Sequence, residues 1–351
     1  MRSSINVGCM NEFAGICNRY IAVGLVIMSG VSNVLADNGT DSVSGSNTGL
    51  GYLTAPSMAP GHILLPSSVF VLPAFCARGS SRIDFDVHWA NVWNYDPDQY
   101  LIDSEWIRSN VRLTYALKDT ISAGIAVPII GRIGGFSDSA IENFHSAFGL
   151  GNSHRDEFPR NQSIISVRDN DESRTIVEGN SWGIGDISFF VASCISGGDR
   201  ILPSLSVQGQ VSLPSGNEDE LRGIGSSTVG LSAVASKRIS KAPLFLFGGV
   251  GLQYCIQNNM SSVELQREIW SGLLGVEYQC TPSISLVTQY LGSSRAAEDF
   301  FAFSDPCHEV SAGFKWLVTS HTILEFAIVE NLFEYENSAD IGIHLSFGRN
   351  L

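Results

Sequence analysis

From Asp84 to Phe347 the chain is made of short stretches in which apolar and polar residues alternate. In Ile341-Gly342-Ile343-His344-Leu345-Ser346-Phe347 every odd position is apolar and every even one is small or polar. Residues 205–213 repeat the pattern. A period of two sends the two sets to opposite faces of a strand. In a soluble sandwich the apolar face points into a core. In an outer-membrane barrel it points at lipid, and the small polar set lines the lumen.

The connections between these stretches sort by length. Short ones fall at 117–120, 196–200, 240–243, 280–283 and 319–321. Longer ones fall between them, at 95–100, 131–183, 215–225, 258–264, 293–307 and 333–339. Transmembrane barrels have tight periplasmic turns and larger outer loops, whereas a sandwich has no reason to alternate them. The pattern predicts an all-β fold, a transmembrane antiparallel up-and-down barrel of about 12 strands (10–14), with both termini periplasmic.

The alternation also assigns the faces. Ile83, Phe85 and Val87, Leu113 and Tyr115, Phe314 and Trp316, and Phe326 and Ile328 are expected outward. Asp84, Asp86, His88, Arg108, Arg112, Lys315 and Glu325 are then expected in the lumen, where both signs of charge meet. A charge on the lipid face would cost about 2–4 kcal/mol near the midplane, so a one-residue slip is strongly disfavoured. Trp89, Trp93, Tyr95, Tyr100, Trp270, Tyr278, Tyr290 and Trp316 recur near strand ends, as interfacial girdles do.

The N-terminus reads as an export signal over residues 1–36. Arg19 precedes the apolar run 21–28, and Val34-Leu35-Ala36 precedes Asp37. The run is too short for a helical span, and Met10 is an alternative start. Residues 37–51 are a polar linker. Four prolines between Leu53 and Pro73 exclude a central strand. We therefore divide the chain into a signal (1–36), a flexible or extended periplasmic segment (37–80) that enters or lines the barrel, and the barrel itself (81–351). Charged residues are 16% of the chain and glycine is abundant, as in exported barrels, and the net charge of −14 speaks against nucleic acid. Beyond the signal, Cys76, Cys194, Cys255, Cys280 and Cys307 are odd in number and lack metal or redox spacing, so they read as small apolar residues.

The longest connection carries a helix signal over 137–149. Ser137 or Asp138 can cap it, and Ile141, Phe144, Ala147 and Phe148 share a face, with Glu142 and Ser146 opposite. Such a helix suits the barrel mouth, as a plug, or the outer leaflet. Arg132, His145, Arg155, Asp156, Glu157 and Arg160 are the loop candidates for binding an anionic headgroup or for locking the loop by ion pairs, with the arginines bracketing the helix.

Trp89-Ala90-Asn91-Val92-Trp93-Asn94-Tyr95, Gly131-Arg132-Ile133-Gly134-Gly135-Phe136 and Arg155-Asp156-Glu157-Phe158-Pro159-Arg160 resemble an uncharacterised family of Gram-negative proteins. That family is known as a domain of unknown function and regarded as outer-membrane barrel-like. The resemblance covers roughly residues 84–347. It implies the fold and brings no substrate or catalytic residue. Outer-membrane barrels often end on an aromatic residue, whereas here Gly348 to Leu351 follow Phe347.

No Gly-x-Ser-x-Gly, His-Glu-x-x-His or P-loop motif occurs. His344 and Ser346 share the inward face, which does not suit a lipid substrate. No catalytic residue, metal ligand or cofactor site is assigned. Arg108 and Arg112 either pair with Asp84 and Asp86 on the neighbouring strand or form a charged constriction. The function these features favour is a narrow pore or transporter for small solutes. A lipid-modifying enzyme and a surface-structural or adhesion role are the alternatives. The expected location is the Gram-negative outer membrane, with its lipid and lipopolysaccharide and the barrel-assembly machinery as partners.

Overall fold

The computed structural model describes residues 47–66, 70, 77–148, 154–169, 172–239, 242–258, 260, 263–298, 300, 304–332, 337 and 339–351. The expected signal, with Cys9 and Cys17, and Cys76 lie outside these.

In chain order the strands are β1 (Ser81–Asp96), β2 (Tyr100–Lys118), β3 (Ile121–Ile133), β4 (Ile164–Asp169), β5 (Glu172–Glu178), β6 (Ser181–Ile184), β7 (Ile187–Ser196) and β8 (Ser204–Leu213). There follow β9 (Thr228–Arg238), β10 (Leu244–Cys255), β11 (Glu268–Thr281), β12 (Ile284–Ser293), β13 (Cys307–Thr319), β14 (Thr322–Asn331) and β15 (Ile341–Asn350). β1, β2 and β3 pair in sequence, β3 passes directly to β7, and β7 to β15 continue as neighbours. β15 then returns onto β1, with Phe347 opposite Phe85 and His344 opposite His88. The result is a closed antiparallel barrel of 12 strands. Closure removes both sheet edges, so every ladder group in the apolar layer has a partner. No described helix is long and apolar enough to cross a membrane. The strands make the crossing.

The faces follow the alternation. Phe85, Leu113, Tyr115, Phe314, Trp316 and Ile328 are exposed on the outer wall, while Asp86, His88, Arg108, Lys315 and Glu325 are buried inside. Lys315 lies opposite Glu325 in the ladder, so both reach the lumen together. Trp270 and Tyr278 also stand exposed on the outside.

The outer end departs from the expectation. The connection at 95–100 is only the turn Pro97-Asp98-Gln99, set on the two longest strands, of 16 and 19 residues. β4 pairs with the outer end of β2, Tyr100 facing Val167, and β6 with the outer end of β3, Gly131 facing Trp182. These added strands carry the wall beyond the lipid layer. Trp93 and Tyr100 are therefore buried in this outer structure and are not girdle residues.

Candidate functional site in the barrel lumen

The lumen contains the chain's own N-terminal segment. Residues 47–66 enter at the periplasmic end, where Asn47 Nδ2 donates to Asp199 O at 2.9 Å on the β7–β8 turn. They climb to the outer end, where His62 Nε2 donates to Ser294 O at 2.9 Å beyond β12. A turn at Ala59 to Leu65 reverses the chain, with Ile63 N donating to Ala59 O at 2.9 Å. Phe70 lies back in the middle, with its edge to Tyr52 at 6.3 Å. The chain regains the periplasmic end at Arg78, whose backbone N–H donates to Asp119 Oδ1 at 2.9 Å.

Residues 47–66 form no named strand, and the prolines in them show why: three of their backbone nitrogens cannot donate. The remaining polar backbone groups still need partners once buried. Side chains of the inner wall supply them. Glu277 accepts from Leu50 N at 2.8 Å and Gly51 N at 2.9 Å. Gln289 accepts from Leu53 N at 2.8 Å and donates to Leu53 O at 3.0 Å, copying one ladder step. Glu325 accepts from Thr54 N at 2.5 Å, and Glu309 from Met58 N at 3.2 Å. In the other direction, Lys315 donates to Tyr52 O at 2.5 Å. Arg108 donates to Ile63 O at 2.7 Å and Leu65 O at 2.8 Å, and Gln253 donates to Pro66 O. The lumen charges are thus mostly anchors for the segment's backbone.

Glu325 also sits at the head of a buried chain. It holds Lys315 at 3.0 Å and His344 Nε2 at 2.6 Å. His344 stacks on His88 with centroids 4.4 Å apart and Nδ1 atoms 2.9 Å apart. His88 Nε2 donates to Asp86 Oδ1 at 2.7 Å, and Asn110 donates to the same oxygen at 2.5 Å. Both Nε2 atoms face carboxylates and so carry protons. His344 thus joins Glu325 to His88 inside the wall.

Arg108 and Arg112 do not pair as the neighbouring-strand reading expects. Asp84 lies opposite Arg112, but its carboxylate takes Arg82 Nε at 2.8 and 3.0 Å. Asp86 is taken by His88 and Asn110. Arg108 turns to the lumen segment. The purely polar lumen is also corrected. Val234, Phe245, Phe247 and Leu273 point inward and pack on Tyr52 and Phe70, because the segment brings apolar side chains that water would not accommodate.

The helix α1 (Asp138–Phe148) forms as expected and does not plug the lumen. It attaches to residues that share the lipid-facing parity of β1 and β2 above the apolar belt. Glu105 accepts from Phe136 N at 2.9 Å, Ser137 N at 2.8 Å and Trp89 Nε1 at 2.8 Å. Asn91 Nδ2 donates to Ser137 Oγ at 3.0 Å, and Phe136 stacks on Trp89. The loop therefore covers the outer flank of the wall. Arg155 is buried against Asp138 at 3.2 Å, Asn91 at 2.9 Å and Asp340, tying this loop to the last one. Arg160 pairs with Glu142. Glu142 is accordingly buried, where the helical pattern placed it in solvent; Ser146 is exposed and Ile141 is buried. Arg132 does not bracket the helix: it donates to Ser163 Oγ at 2.7 Å and Gly179 O at 2.8 Å. Glu157 accepts from His154 at 2.8 Å and Asp156 is exposed. The side chains of Phe144, His145 and Phe148 lie outside the described ones. Cys255, Cys280 and Cys307 are free thiols.

A family model described as "Protein of unknown function (DUF3187)" matches residues 26–350. The chain belongs to the DUF3187 family. The match takes in the lumen segment of this DUF3187 chain as well as its barrel. No curated protein matches it. Among solved structures, the COG4313 outer membrane channel from Pseudomonas putida F1 is similar at 12% identity and a TM-score of 0.54, over 82% of this chain and 99% of that one. The NanC porin is similar at 9% identity and a TM-score of 0.42, over 77% of this chain and 100% of the porin. At 12% identity the likeness to the COG4313 channel bears on the fold of the DUF3187 chain alone. Sequence reasoning missed Glu105, Gln253, Glu277 and Gln289. Their inward or outward parity was readable, but the loop and lumen backbone groups they hold, such as Ser137 for Glu105 and Leu53 for Gln289, are distant and carry no pattern of their own.

Proposed function

We propose that this protein is an outer-membrane conduit for small solutes, closed here by its own residues 47–66. The carrying observation is how that segment is held. Its backbone is not laddered into the sheet. It hangs on Glu277, Gln289, Glu325, Glu309, Lys315 and Arg108. Each of those bonds has a ready substitute in water, so the segment can leave without stranding buried backbone in the wall. The COG4313 likeness supports the same reading. On it, the chain is exported, inserted by the barrel-assembly machinery, and set with its apolar belt against lipid and lipopolysaccharide.

Planar-bilayer recordings of the refolded full chain, beside a variant lacking residues 47–70, test the proposal. The full chain is expected to stay closed with brief openings, and the deletion to carry steady current. A deletion variant that forms a heat-modifiable barrel and passes no current removes the pore reading.

A further inference from the structure

The outer turn of the lumen segment borders a cavity of about 60 Å³ inside the large apolar cluster. Gly61 and Leu64 of that turn form one side of it. Trp106 of β2 and Ile165 of β4 form a second, with Ile165 in register with Ile102. Leu265 and Ala297 form a third, facing one another in an isolated bridge that joins the β10–β11 and β12–β13 loops. Two further bonds hold that junction, Gln266 N donating to Ala296 O and Glu298 N to Glu264 O, each at 2.8 Å. Hydrogen-bonded backbone therefore frames the space on three sides.

The lining is chemically uniform. Every residue in it is Gly, Pro, Ala, Val, Leu, Ile, Met, Phe or Trp. The one side-chain nitrogen among them, Trp106 Nε1, is itself buried. Water needs about 2–4 polar partners to settle in a cavity, whereas an apolar cavity stays dry and admits hydrocarbon guests. No charged side chain lines this one, so an ion would enter at the full cost of its desolvation. On the measure in which one water takes about 10–15 Å³, there is room for about four to six heavy atoms. We propose that this cavity binds a small uncharged hydrocarbon-like solute at the outer mouth, in contact with the turn of the lumen segment. Such a solute class deepens the pore reading and rests on it only for onward passage; binding does not require the barrel to open.

The test is NMR of the refolded full chain in detergent, with isotope-labelled tryptophan indoles and methionine methyls. The titrants are cyclopentane, propylene glycol and propionate, matched in heavy-atom count. Met260 lines the cavity with Trp106, whereas Trp270 and Trp316 are exposed on the outer wall and report partition into detergent. Cyclopentane is expected to shift the Trp106 and Met260 signals saturably, and those of Trp270 and Trp316 only in proportion to its concentration. Either polar compound should bind about 10-fold weaker or less, because the lining replaces none of its hydrogen bonds to water. Ala297→Leu fills the space and should weaken cyclopentane by about 10-fold. Deleting residues 47–70 removes one side of the cavity and should abolish saturation at Met260. Heat-modifiable migration checks that each variant folds, and the wild-type order of the three compounds tests the site without any variant. No saturable shift at Trp106 and Met260, equal affinities for the three compounds, a folded Ala297→Leu barrel with wild-type affinity, or a folded deletion barrel that still saturates overturns the proposal. Saturable cyclopentane binding in a barrel that never conducts would leave the site standing and remove only the pore reading. Conduction without that binding would remove only the site.

Discussion

Single residues decide where the lumen segment sits. Glu277 accepts two successive backbone N–H groups at Leu50 and Gly51 and the hydroxyl of Ser285 at 2.5 Å. Each donor left unsatisfied costs about 1–3 kcal/mol. Glu277→Ala is therefore expected to loosen the segment's entry and raise open probability in bilayer recordings; unchanged gating would show that the anchor is dispensable. Gly49 approaches the same carboxylate with φ of +54°, and a Cβ there would stand 2.3 Å from Glu277 Oε2, so Gly49→Val should act in the same direction. At the outer surface, Arg155 holds Asp138, Asn91 and Asp340 together. Removing one partner of a buried ion pair costs about 3–5 kcal/mol. Arg155→Ala should make the loop around α1 sensitive to protease on intact cells while the barrel keeps its heat-modifiable migration. His154 is exposed, and its hydrogen bond to Glu157 raises its pKa above the ordinary 6.5. That contact is fully formed below the ordinary imidazole value and is lost as pH rises through the raised one. An NMR titration should show the higher midpoint, and Glu157→Gln should return it.

At the scale of elements, the helix and the lumen segment exchange the roles that pattern alone suggests. The amphipathic period of residues 138–148 is real and produces α1, yet period says only that one face is covered, not by what. Outward parity at Trp89, Asn91 and Glu105 fixes the docking site on the flank. Deleting residues 137–149 is therefore expected to leave dye or antibiotic uptake unchanged, whereas deleting 47–70 raises it. A rise on removing the helix would mean that the loop also guards the mouth. The proline-rich segment carries no period at all, and its order comes from distant partners, from Leu65 with Arg108 (separation 43) to Leu53 with Gln289 (separation 236).

For the whole molecule, the ladder closes through β1 and β15 without any residue of the lumen segment 47–66 taking part. Removal of residues 47–70 should therefore leave a barrel with undiminished strand signal in circular dichroism and heat-modifiable migration. Loss of the barrel in that variant would make the segment part of the folding core, not a gate. The apolar packing of the segment at the two ends of the lumen differs. Met58, Ile63, Leu64 and Leu65 join a large cluster under the outer loops, while Tyr52 and Phe70 meet only a small one lower down. Burial of each such side chain is worth about 1.5–3 kcal/mol, so the outer turn is the better-held end.

The sequence by itself determined the barrel, its strand number, the lipid and lumen faces and the helix. These are local properties: a period of two, a period of 3.6, and connection length, each readable within a dozen residues. It also named Asp86, His88, Arg108, Lys315 and Glu325 as lumen residues, since parity alone assigns a face. What those side chains hold was decided only by tertiary structure. A carboxylate facing inward accepts equally from a lysine, from water or from a backbone amide of a distant segment, and only closure of the barrel around residues 47–66 selects among them.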